Sequence, residues 1–367
     1  MATTATAPST FERLPHPAPV PGTSRAQAIA DPGFGKVFTD HMVTIDWDEG
    51  RGWHSPQIGP HEPLRLHPAA AVFHYAQEIF EGLKAYKLED GAMALFRPQA
   101  NARRFKASAD RLAMPNLPEE AFVEAVRQLV IADRDWFPTV EGGSLYLRPF
   151  MIATEAFLGV RPAKQYKFLV IASPSGNYFK SGAPAVSIWV SRDYTRAAPG
   201  GTGAAKCGGN YAAGLVPHAE AVSQGHDQVC FLDATEHKYV EELGGMNLFF
   251  AFEDGSLLTP PLGGTILPGI TRDSLITLAR EQGLTVREEP YAFDQWRADA
   301  ASGKLLECFA CGTAAVVTPV GKVASPDGEF TIGSGGPGQL TGRLRDQLVA
   351  IQRGTAPDTH GWVMRLD

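Results

Sequence analysis

The sequence is poor in cysteine, and its cysteines form no complete ligand pattern. There are four in 367 residues, too few for a disulfide framework. Cys308 and Cys311 make one C-x-x-C, but Cys207 and Cys230 stand apart, so the second pair that a zinc site of this kind needs is missing. We therefore expect buried structural thiols, no metal ion and a cytoplasmic location.

Long apolar segments and basic clusters are also lacking. No apolar run reaches the roughly 18 residues that a membrane helix needs, and the N-terminus lacks the basic start and apolar run of a secretory signal. The formal net charge of −7, without a run of Lys or Arg, disfavours nucleic acids and acidic membrane surfaces as partners. Residues 1–30 begin with a segment rich in Ala, Thr and Pro and are expected to form a loosely attached tail.

The rest of the sequence predicts an α/β protein of two domains. A small α/β domain is expected at 31–174, an interdomain loop rich in Gly, Pro and Ser at 175–184, and a large domain at 185–367. For the first domain, helices are predicted to begin at Asn101, a good N-cap, and to cover 119–137. For the second, the pattern predicts strands alternating with helices at 212–224, 271–282 and 339–352.

One lysine lies in an unusual setting. Residues 196–214 read RAAPGGTGAAKCGGNYAAG, and Lys206 is flanked by Ala and Cys rather than by polar neighbours. Such a lysine is either solvated in a glycine-rich surface loop or desolvated and nucleophilic, able to form an imine with a carbonyl compound. The stretch alone does not favour one interpretation over the other.

Three glycine-bearing turns could hold a phosphate. In LPGITRDSL (267–275) a Pro-Gly turn leads to Thr271, the predicted N-cap of a helix whose first N–H groups can bind an anion, although most helix starts bind nothing. CGTAA (311–315) is a second tight turn with amides available for an anion. GGTGAAK (200–206) is the third, but it matches neither the P-loop nor the dinucleotide fingerprint.

Charged residues accompany these turns. Arg103, Arg104 and Lys106 follow Asn101 closely, where they form either a solvated basic face or the surroundings of an anion. The acidic pair before Gly244 precedes an apolar strand, where a carboxylate requires a partner. An amine, a phosphate cradle, an arginine and a carboxylate together fit pyridoxal phosphate, whose aldehyde, phosphate and ring nitrogen need these groups.

Seven motifs in this order resemble the branched-chain amino-acid aminotransferases, which are fold-type IV pyridoxal-phosphate enzymes. They are FEGLKAY (80–86), FRPxxNxxR (96–104), SLYLRP (144–149), GGTGAAKxGGNYAA (200–213), EELGGMN (241–247), LPGITRDSL (267–275) and CGTAA (311–315). The resemblance covers nearly everything from Phe34 to Trp362. It implies a two-domain fold-type IV architecture and a homodimer.

The resemblance also implies roles for individual residues. Lys206 would be the Schiff-base lysine and catalytic base, and Glu242, rather than Glu241, would bind the pyridine nitrogen. Gly203 and Gly209 would bring the backbone close to the flat cofactor ring. The other cofactor-binding residues would be Arg104, Tyr211, Ile270, Thr271 and Thr313, with Arg103 a solvated neighbour. The substrate would contact Phe34, Tyr75, Phe80, Tyr146, Arg148, Tyr178, Thr313 and Ala314, and Val160 would reach the partner subunit's site.

The implied reaction is transamination between Leu, Ile or Val and 2-oxoglutarate. One departure concerns the C-x-x-C that mammalian members carry after the Gly-Thr-Ala turn, because those positions are Ala315 and Thr318 in this sequence. The redox role is therefore not transferred to Cys308 and Cys311. Alternatives of the same fold are a D-amino-acid aminotransferase and an aminodeoxychorismate lyase. A non-catalytic homologue and a module that binds another phosphate compound are alternatives from other classes.

Overall fold

The computed structural model describes residues 10–176 and 185–366. In the first of these ranges the strands are β1 Glu12–Arg13, β2 His41–Asp48, β3 Gly52–Pro60, β4 Glu78–Phe80, β5 Leu83–Lys87, β6 Met93–Phe96, β7 Ser144–Ala153 and β8 Gln165–Ser175. The α-helices there are α1 Gly22–Ala30, α2 Ala71–Tyr75, α3 Pro98–Arg111 and α4 Glu119–Ala132, followed by a short 3-10 helix at Arg134–Trp136.

The second range mixes strands and helices, with several strands in succession between 228 and 259 and between 305 and 331. Its strands are β9 Val186–Val190, β10 Gln228–Leu232, β11 Val240–Leu243, β12 Asn247–Phe252, β13 Ser256–Thr259, β14 Thr285–Glu288, β15 Leu305–Gly312, β16 Val316–Ser325, β17 Gly328–Thr331 and β18 Val363–Arg365. Its helices are α5 Gly208–Ala212, α6 Leu215–Ser223, α7 Ile270–Glu281, α8 Phe293–Ser302 and α9 Gln339–Arg353.

The chain divides into two compact units. Within the described residues, the first unit contains 10–176, Ala205–Gly208 and 352–366, and the second contains 185–204 and 209–351. The short segment that carries Lys206 therefore packs with the first unit although its neighbours along the chain belong to the second. The predicted interdomain loop lies mostly in residues 177–184, outside the described residues. β8 extends through Ser175, whose hydroxyl lies 3.2 Å from that of Ser144.

The first unit is built on one mostly antiparallel sheet in the order β1-β3-β2-β8-β7-β5-β6-β18, with β4 paired to β7. Helices α3 and α4 supply apolar residues at helical spacing to its core, and the rings of Phe105, Phe122 and Phe168 pack together at centroid distances of 5.3 to 5.9 Å. This core positions α3 beside β4, the strand next to the lysine segment.

The expectation of a loosely attached tail is wrong for the described part of residues 1–30. β1 pairs with β3, the N–H of Val20 donates to Asp40 at 2.8 Å, and Ile29 of α1 joins the core. A composition rich in Pro and Ala did not reveal these contacts, because they depend on partners far along the chain.

Helix α3 begins earlier than predicted. Pro98 is its first residue, where a fixed φ suits a helix start, and Asn101 lies inside the helix. Asn101 is therefore not the N-cap, and its amide is available for a tertiary contact. Arg103 is exposed, as expected for a solvated neighbour of Arg104.

The second unit contains a mixed sheet in the order β11-β10-β9-β16-β15-β12-β13-β14, with β17 paired to β16. An additional pairing of β11 with β12 closes β9, β10, β11, β12, β15 and β16 into a ring. Cys308 and Cys311 lie on β15 as free thiols, and desolvation raises their pKa values, which confirms the expectation that they are buried.

Two helices of the second unit differ from the prediction. The helix expected at 212–224 is interrupted at Gly214 and forms α5 and α6. Helix α7 is capped by Gly269 rather than by Thr271, which is its second residue. Among the described residues, no helix has the length and apolar character needed to span a bilayer.

Candidate active site

The backbone of Lys206 is held by hydrogen bonds from both sides. Its N–H donates to the hydroxyl of Ser108 on α3 at 2.9 Å, and its carbonyl accepts from the N–H of Phe80 at 2.9 Å. The N–H of Gly208 donates to the carboxylate of Glu78 on β4. An added Cβ at position 208 would come too close to that carboxylate, so a larger residue there would displace the Glu78 side chain. The lysine segment is therefore a fixed structure rather than a mobile surface loop.

The amine of Lys206 lies among aromatic and charged groups. Its Nζ is 4.8 Å from the centroid of the Phe80 ring. Burial of the ammonium, assisted by the positive charge of Arg104 and opposed by the negative charge of Glu81, lowers the pKa of Lys206 to about 8. A substantial fraction of the side chain is thus neutral near physiological pH, which favours the nucleophilic interpretation over a solvated lysine.

Arg104 forms a buried ion pair in the first unit. Its Nε and Nη2 donate to the two carboxylate oxygens of Glu81 at 2.7 and 2.8 Å. The amide of Asn101 donates to the same carboxylate at 2.7 Å, and the N–H of Gly82 does so at 3.1 Å. Burial alone would raise the pKa of Glu81, but the charge and hydrogen bonds of Arg104 outweigh burial and lower it.

Four of the predicted substrate residues come together in the first unit. The rings of Phe34 and Tyr146 meet edge to face at 5.0 Å. The guanidinium of Arg148 donates to the hydroxyl of Tyr146 at 3.1 Å and lies 4.7 Å from the centroid of the Phe80 ring. Among the described residues, the buried Nε of Arg148 has no hydrogen-bond partner. This cluster combines apolar ring surface with a positive charge.

Tyr75 and Val160 belong to a different part of the first unit. The hydroxyl of Tyr75 donates to the carbonyl of Leu158 at 2.5 Å, and its ring lies 6.4 Å from that of Phe157. Val160 follows in the same loop and is 89% exposed. The remaining predicted substrate residue, Tyr178, lies outside the described residues.

In the second unit, Glu242 is a buried carboxylate at the end of β11. Its Oε1 accepts from the N–H of Leu267 at 2.9 Å and forms an ion pair with Arg196, and its Oε2 accepts from the amide of Asn247 at 3.3 Å. Glu241 is its buried neighbour and accepts from the hydroxyl of Thr265 at 2.5 Å. Both oxygens of Glu242 are therefore bound, by Leu267, Arg196 and Asn247, whereas Glu241 is bound through one oxygen by Thr265.

Asn247 connects Glu242 to the predicted phosphate-binding turn. Its amide also donates to the carbonyl of Leu267 at 3.1 Å, and a Cβ at Gly269 would collide with its side chain. Gly269 thus caps α7, and Ile270 and Thr271 occupy the first two helical positions. Backbone N–H groups at such positions precede the intrahelical hydrogen bonds and point out of the helix end, as an anion site requires.

The other predicted residues of the second unit lie near these elements. The ring of Tyr211 on α5 packs toward Gly245, where an added Cβ would be 3.8 Å from Cε1. Thr313 and Ala314 form the turn between β15 and β16, and Val316 follows it with a φ of 63°. A β-branched residue in the left-handed region is strained, and such strain is frequent beside ligand sites.

The two glycines predicted to approach a flat ring differ in their surroundings: protein atoms fill the space at Gly203, and the prediction stays untested at Gly209. A Cβ at Gly203 would lie 2.6 Å from the Cα of Thr265 and 2.7 Å from the Cβ of Ala197, so this glycine packs against protein backbone. At Gly209 an added Cβ would meet no atom within 4 Å. Glycine at position 203 is therefore explained by its close packing against Thr265 and Ala197 rather than by approach to the cofactor ring.

Several residues of the site were not identified from the sequence as functional. They are Glu78, Glu81, Asn101 and Ser108 in the first unit and Arg196 and Asn247 in the second. The available signal was an acid, Glu81, in an apolar run before a glycine, which the sequence analysis did not use. The others act through contacts with residues distant in sequence, so no local pattern marks them.

Comparison with known proteins defines the class. The model of the family described as amino-transferase class IV matches residues 78–323. This range includes Lys206, Glu242 and Thr313. The chain therefore belongs to the class IV aminotransferases.

Its relatives narrow the assignment to the branched-chain aminotransferases. It is 56% identical to the branched-chain-amino-acid aminotransferase of Mycolicibacterium smegmatis over 95% of this chain and 96% of the relative, and 55% identical to that of Mycobacterium tuberculosis over 95% and 96%. The crystal structure of the Escherichia coli branched-chain enzyme matches with a TM-score of 0.73 at 30% identity, covering 88% of this chain and 99% of that one. These matches confirm the fold-type IV architecture.

Some solved relatives contain bound molecules. The T.th. branched-chain amino acid aminotransferase with pyridoxamine 5'-phosphate matches with a TM-score of 0.73 at 30% identity, covering 88% of this chain and 98% of that one. The same enzyme was also solved with N-(5'-phosphopyridoxyl)-L-glutamate and with 4-methylvaleric acid. Membership of this family implies pyridoxal phosphate as the cofactor of the present chain.

The side chains described above fit that cofactor chemically. They offer an amine with a lowered pKa, a guanidinium in a fixed orientation, a buried carboxylate and the N-terminus of α7. Within residues 10–176 and 185–366, no group of three or more His, Cys, Asp or Glu side chains is arranged to hold a metal ion.

Proposed function

We propose that this protein transfers amino groups between branched-chain L-amino acids (Leu, Ile and Val) and 2-oxoglutarate, forming branched-chain 2-oxo acids and L-glutamate, with pyridoxal 5'-phosphate as cofactor. The observation that carries the proposal is the environment of Lys206, whose backbone is held by Ser108 and Phe80 and whose amine has a pKa of about 8. The identity with branched-chain aminotransferases supports the substrate class.

Each cofactor-binding residue has a chemical task. Lys206 attaches the cofactor covalently, and Glu242 binds the ring nitrogen. Arg104 and the N–H groups of Ile270 and Thr271 bind the phosphate. Tyr211 donates its hydroxyl to the phenolic oxygen, and Thr313 contributes to the phosphate site. When bound, the cofactor supplies a ring that accepts the electron pair left on the substrate α-carbon.

The protein's own contribution to the chemistry is proton transfer and orientation. Once the substrate amine has displaced it from the cofactor, the Nζ of Lys206 would take the proton from the substrate α-carbon and return one later. A pKa of about 8 suits this role, because a base works best when its pKa is close to the working pH. The three hydrogen bonds to its segment keep the amine in one place, which lowers the entropic cost of reaching a reactive geometry.

The cluster around Phe80 suits the two kinds of substrate. Phe34, Tyr146 and Phe80 offer apolar surface, and burying a branched side chain against such surface is worth roughly 1.5–3 kcal/mol. Arg148 offers a positive charge for the second carboxylate of glutamate or 2-oxoglutarate. The amides of Thr313 and Ala314 bind the carboxylate that both substrates share.

The proposal includes a homodimer in which Val160 reaches the partner subunit's site. In support, Val160 is 89% exposed, and Leu158 and Phe73 of the same unit are also exposed apolar side chains. The hydroxyl of Tyr75 binds the carbonyl of Leu158 in the loop that carries Val160. Tyr75 and Val160 are therefore proposed to contact substrate in the same site. A mass measured by light scattering that corresponds to one chain would contradict this part of the proposal.

The function is tested by replacing Lys206 with alanine. The purified wild-type protein should show near-visible absorbance from bound pyridoxal phosphate, and borohydride should remove that absorbance by reducing the bond to Lys206. Lys206→Ala should show neither this change nor turnover of L-leucine with 2-oxoglutarate. Full activity in Lys206→Ala would refute the proposal.

A panel of amino donors separates the alternatives within the fold. L-leucine, L-isoleucine and L-valine should each convert the bound cofactor, whereas D-alanine should not. Conversion by D-alanine alone would indicate a D-amino-acid aminotransferase. Release of pyruvate from aminodeoxychorismate would indicate the lyase.

A further inference from the structure

The carboxylate of Glu81 is the most completely enclosed charged group near Lys206. Its exposed fraction is 0%, and it accepts hydrogen bonds from Arg104, Asn101 and the N–H of Gly82. Moving an unpaired carboxylate out of water costs roughly several kcal/mol, even after the surrounding protein has relaxed. A buried ion pair of this kind contributes little net stability compared with apolar residues. Its position beside the candidate cofactor residues points to another use.

One face of α3 supplies most of these contacts. Asn101, Arg104 and Ser108 are spaced by three and four residues and so share one side of the helix. Asn101 and Arg104 bind Glu81, and Ser108 binds both the carbonyl of Arg104 at 3.0 Å and the N–H of Lys206 at 2.9 Å. The arginine and the lysine are therefore positioned by the same helix face.

We propose that Glu81 is a positioning residue that holds the guanidinium of Arg104 in the orientation needed to bind the phosphate of the cofactor, and that Asn101 holds Glu81 in turn. The inference rests on the proposed function. An arginine side chain has many rotamers, and ordering it on binding would reduce affinity. Two parallel bonds from Nε and Nη2 fix the plane of the group before phosphate arrives.

If only the charge of Glu81 mattered, its removal would have the opposite effect on phosphate binding. Glu81 carries a negative charge close to the phosphate-binding arginine, so removing that charge should strengthen phosphate binding if Coulomb interactions dominate. If orientation dominates, removing the carboxylate should weaken binding. The sign of the change in affinity therefore distinguishes a positioning residue from a mere counter-charge.

The test compares Glu81→Gln with the wild type in the full chain after removal of the cofactor. Titration measures dissociation constants for pyridoxal phosphate and for pyridoxal, which lacks the phosphate. We expect Glu81→Gln to weaken pyridoxal phosphate binding relative to pyridoxal binding by about tenfold or more, the value of one charge-assisted hydrogen bond. Loss of the Glu81 charge also lowers the pKa of Lys206 further, which affects both compounds alike. Equal or tighter binding of pyridoxal phosphate relative to pyridoxal would overturn the proposal.

Glu155→Gln is the matched control. Glu155 also binds an arginine through both oxygens, Arg161 at 2.7 and 3.0 Å, but this pair lies at the surface. The same substitution there should change neither constant. If the wild-type protein binds neither compound, the proposed function fails instead, so the two failures are distinguishable.

Two further variants test the route of the effect. In an Arg104→Met background, Glu81→Gln should leave the ratio of the two constants unchanged, because the arginine through which it acts on the phosphate is absent. If Glu81→Gln does not fold, Asn101→Leu tests the same proposal, since it removes one donor to Glu81 and keeps the ion pair. Asn101→Leu should weaken pyridoxal phosphate less than Glu81→Gln does and leave pyridoxal unchanged. Unaltered pyridoxal phosphate binding in Asn101→Leu would contradict the role of Asn101, and an effect of Glu81→Gln on that ratio without Arg104 would contradict the positioning role.

Discussion

Two buried glutamates, one in each unit, have pKa values that their surroundings shift in opposite directions. Glu81 in the first unit receives two bonds from Arg104 and further bonds from Asn101 and Gly82, and its pKa is lowered. Glu241 in the second unit receives one bond from the hydroxyl of Thr265, and its pKa is raised, chiefly by desolvation. Among the described residues, Oε2 of Glu241 has no hydrogen-bond partner.

The comparison shows that burial does not decide the charge of a carboxylate. Glu81 is the more deeply buried of the two, yet the arginine keeps it ionised. Glu242, next to Glu241 in sequence, is also bound to an arginine, Arg196. Direct bonding to a guanidinium therefore distinguishes Glu81, whose pKa is lowered, from Glu241, whose pKa is raised by desolvation although the charge of Arg196 opposes that shift.

The largest effect is expected from removing the arginine of the first pair. Arg104→Met leaves the fully buried Glu81 without its counter-charge, which should lower the free energy of unfolding by about 3–5 kcal/mol. Urea unfolding of the full chain in the cofactor-free form measures this loss. The Arg104→Met/Glu81→Gln double variant should recover most of it. A double variant as unstable as Arg104→Met would show that the loss does not come from the stranded carboxylate.

A smaller effect is expected from the equivalent change in the second unit. Arg196→Met should lower the free energy of unfolding by about 3 kcal/mol, the low end for a broken buried pair. The reason for the difference is that Arg104 binds both carboxylate oxygens of Glu81, whereas Arg196 is paired with Oε1 of Glu242. The same urea experiment makes the comparison directly. If Arg196→Met is more damaging than Arg104→Met, binding of both carboxylate oxygens is not what ranks the two pairs.

The smallest effect is expected at Glu241, and it depends on pH. Because its pKa is raised from 4.5 in the folded protein, the native state holds the proton more tightly, and stability falls as pH rises from about 4.5 through the folded pKa. Glu241→Gln should remove that fall and stabilise the protein at neutral pH by about 1 kcal/mol or less.

Glu81 supplies the contrasting pH dependence. Its pKa is lowered from 4.5, so its contribution to stability is complete above that pH and is lost as pH falls through the folded pKa. Unfolding midpoints should therefore be compared with the wild type from about pH 2 to 8, because Glu81 responds below the ordinary carboxyl pKa and Glu241 above it. Glu241→Gln should raise the midpoint most at high pH, and Glu81→Gln should lower it by an amount that shrinks as pH falls below 4.5. A Glu241→Gln curve parallel to that of the wild type would show that Glu241 is charged in the folded protein.

Much of the fold and of the active chemistry was readable from the sequence. The helical spacing of 119–137 corresponds to α4 and the short helix after it, and the apolar strand expected after the acidic pair before Gly244 is β12, Asn247–Phe252. The motif order was sufficient to identify the family, which the comparisons confirm. Roles of the individual site residues remain proposals that the local contacts support.

Local pattern was a poorer guide to helix starts. Asn101 and Thr271 are residues that favour N-caps, yet α3 begins at Pro98 and α7 is capped by Gly269. In both helices the preference was overridden because each start is fixed by tertiary contacts. The amide of Asn101 donates a hydrogen bond to Glu81, and a side chain at position 269 would collide with that of Asn247.

The sequence by itself determined the class of protein, the lysine and the general chemistry, because these depend on residue types in a fixed order. Only the tertiary structure decided which acids are charged and which groups hold Lys206 in place. Ser108 is 98 positions away from Lys206 along the chain, and Glu78 is 130 positions away from Gly208, yet each contacts the lysine segment directly. Electrostatic and hydrogen-bonding effects act over a few ångströms in space, so separation along the chain conceals them until the chain is folded.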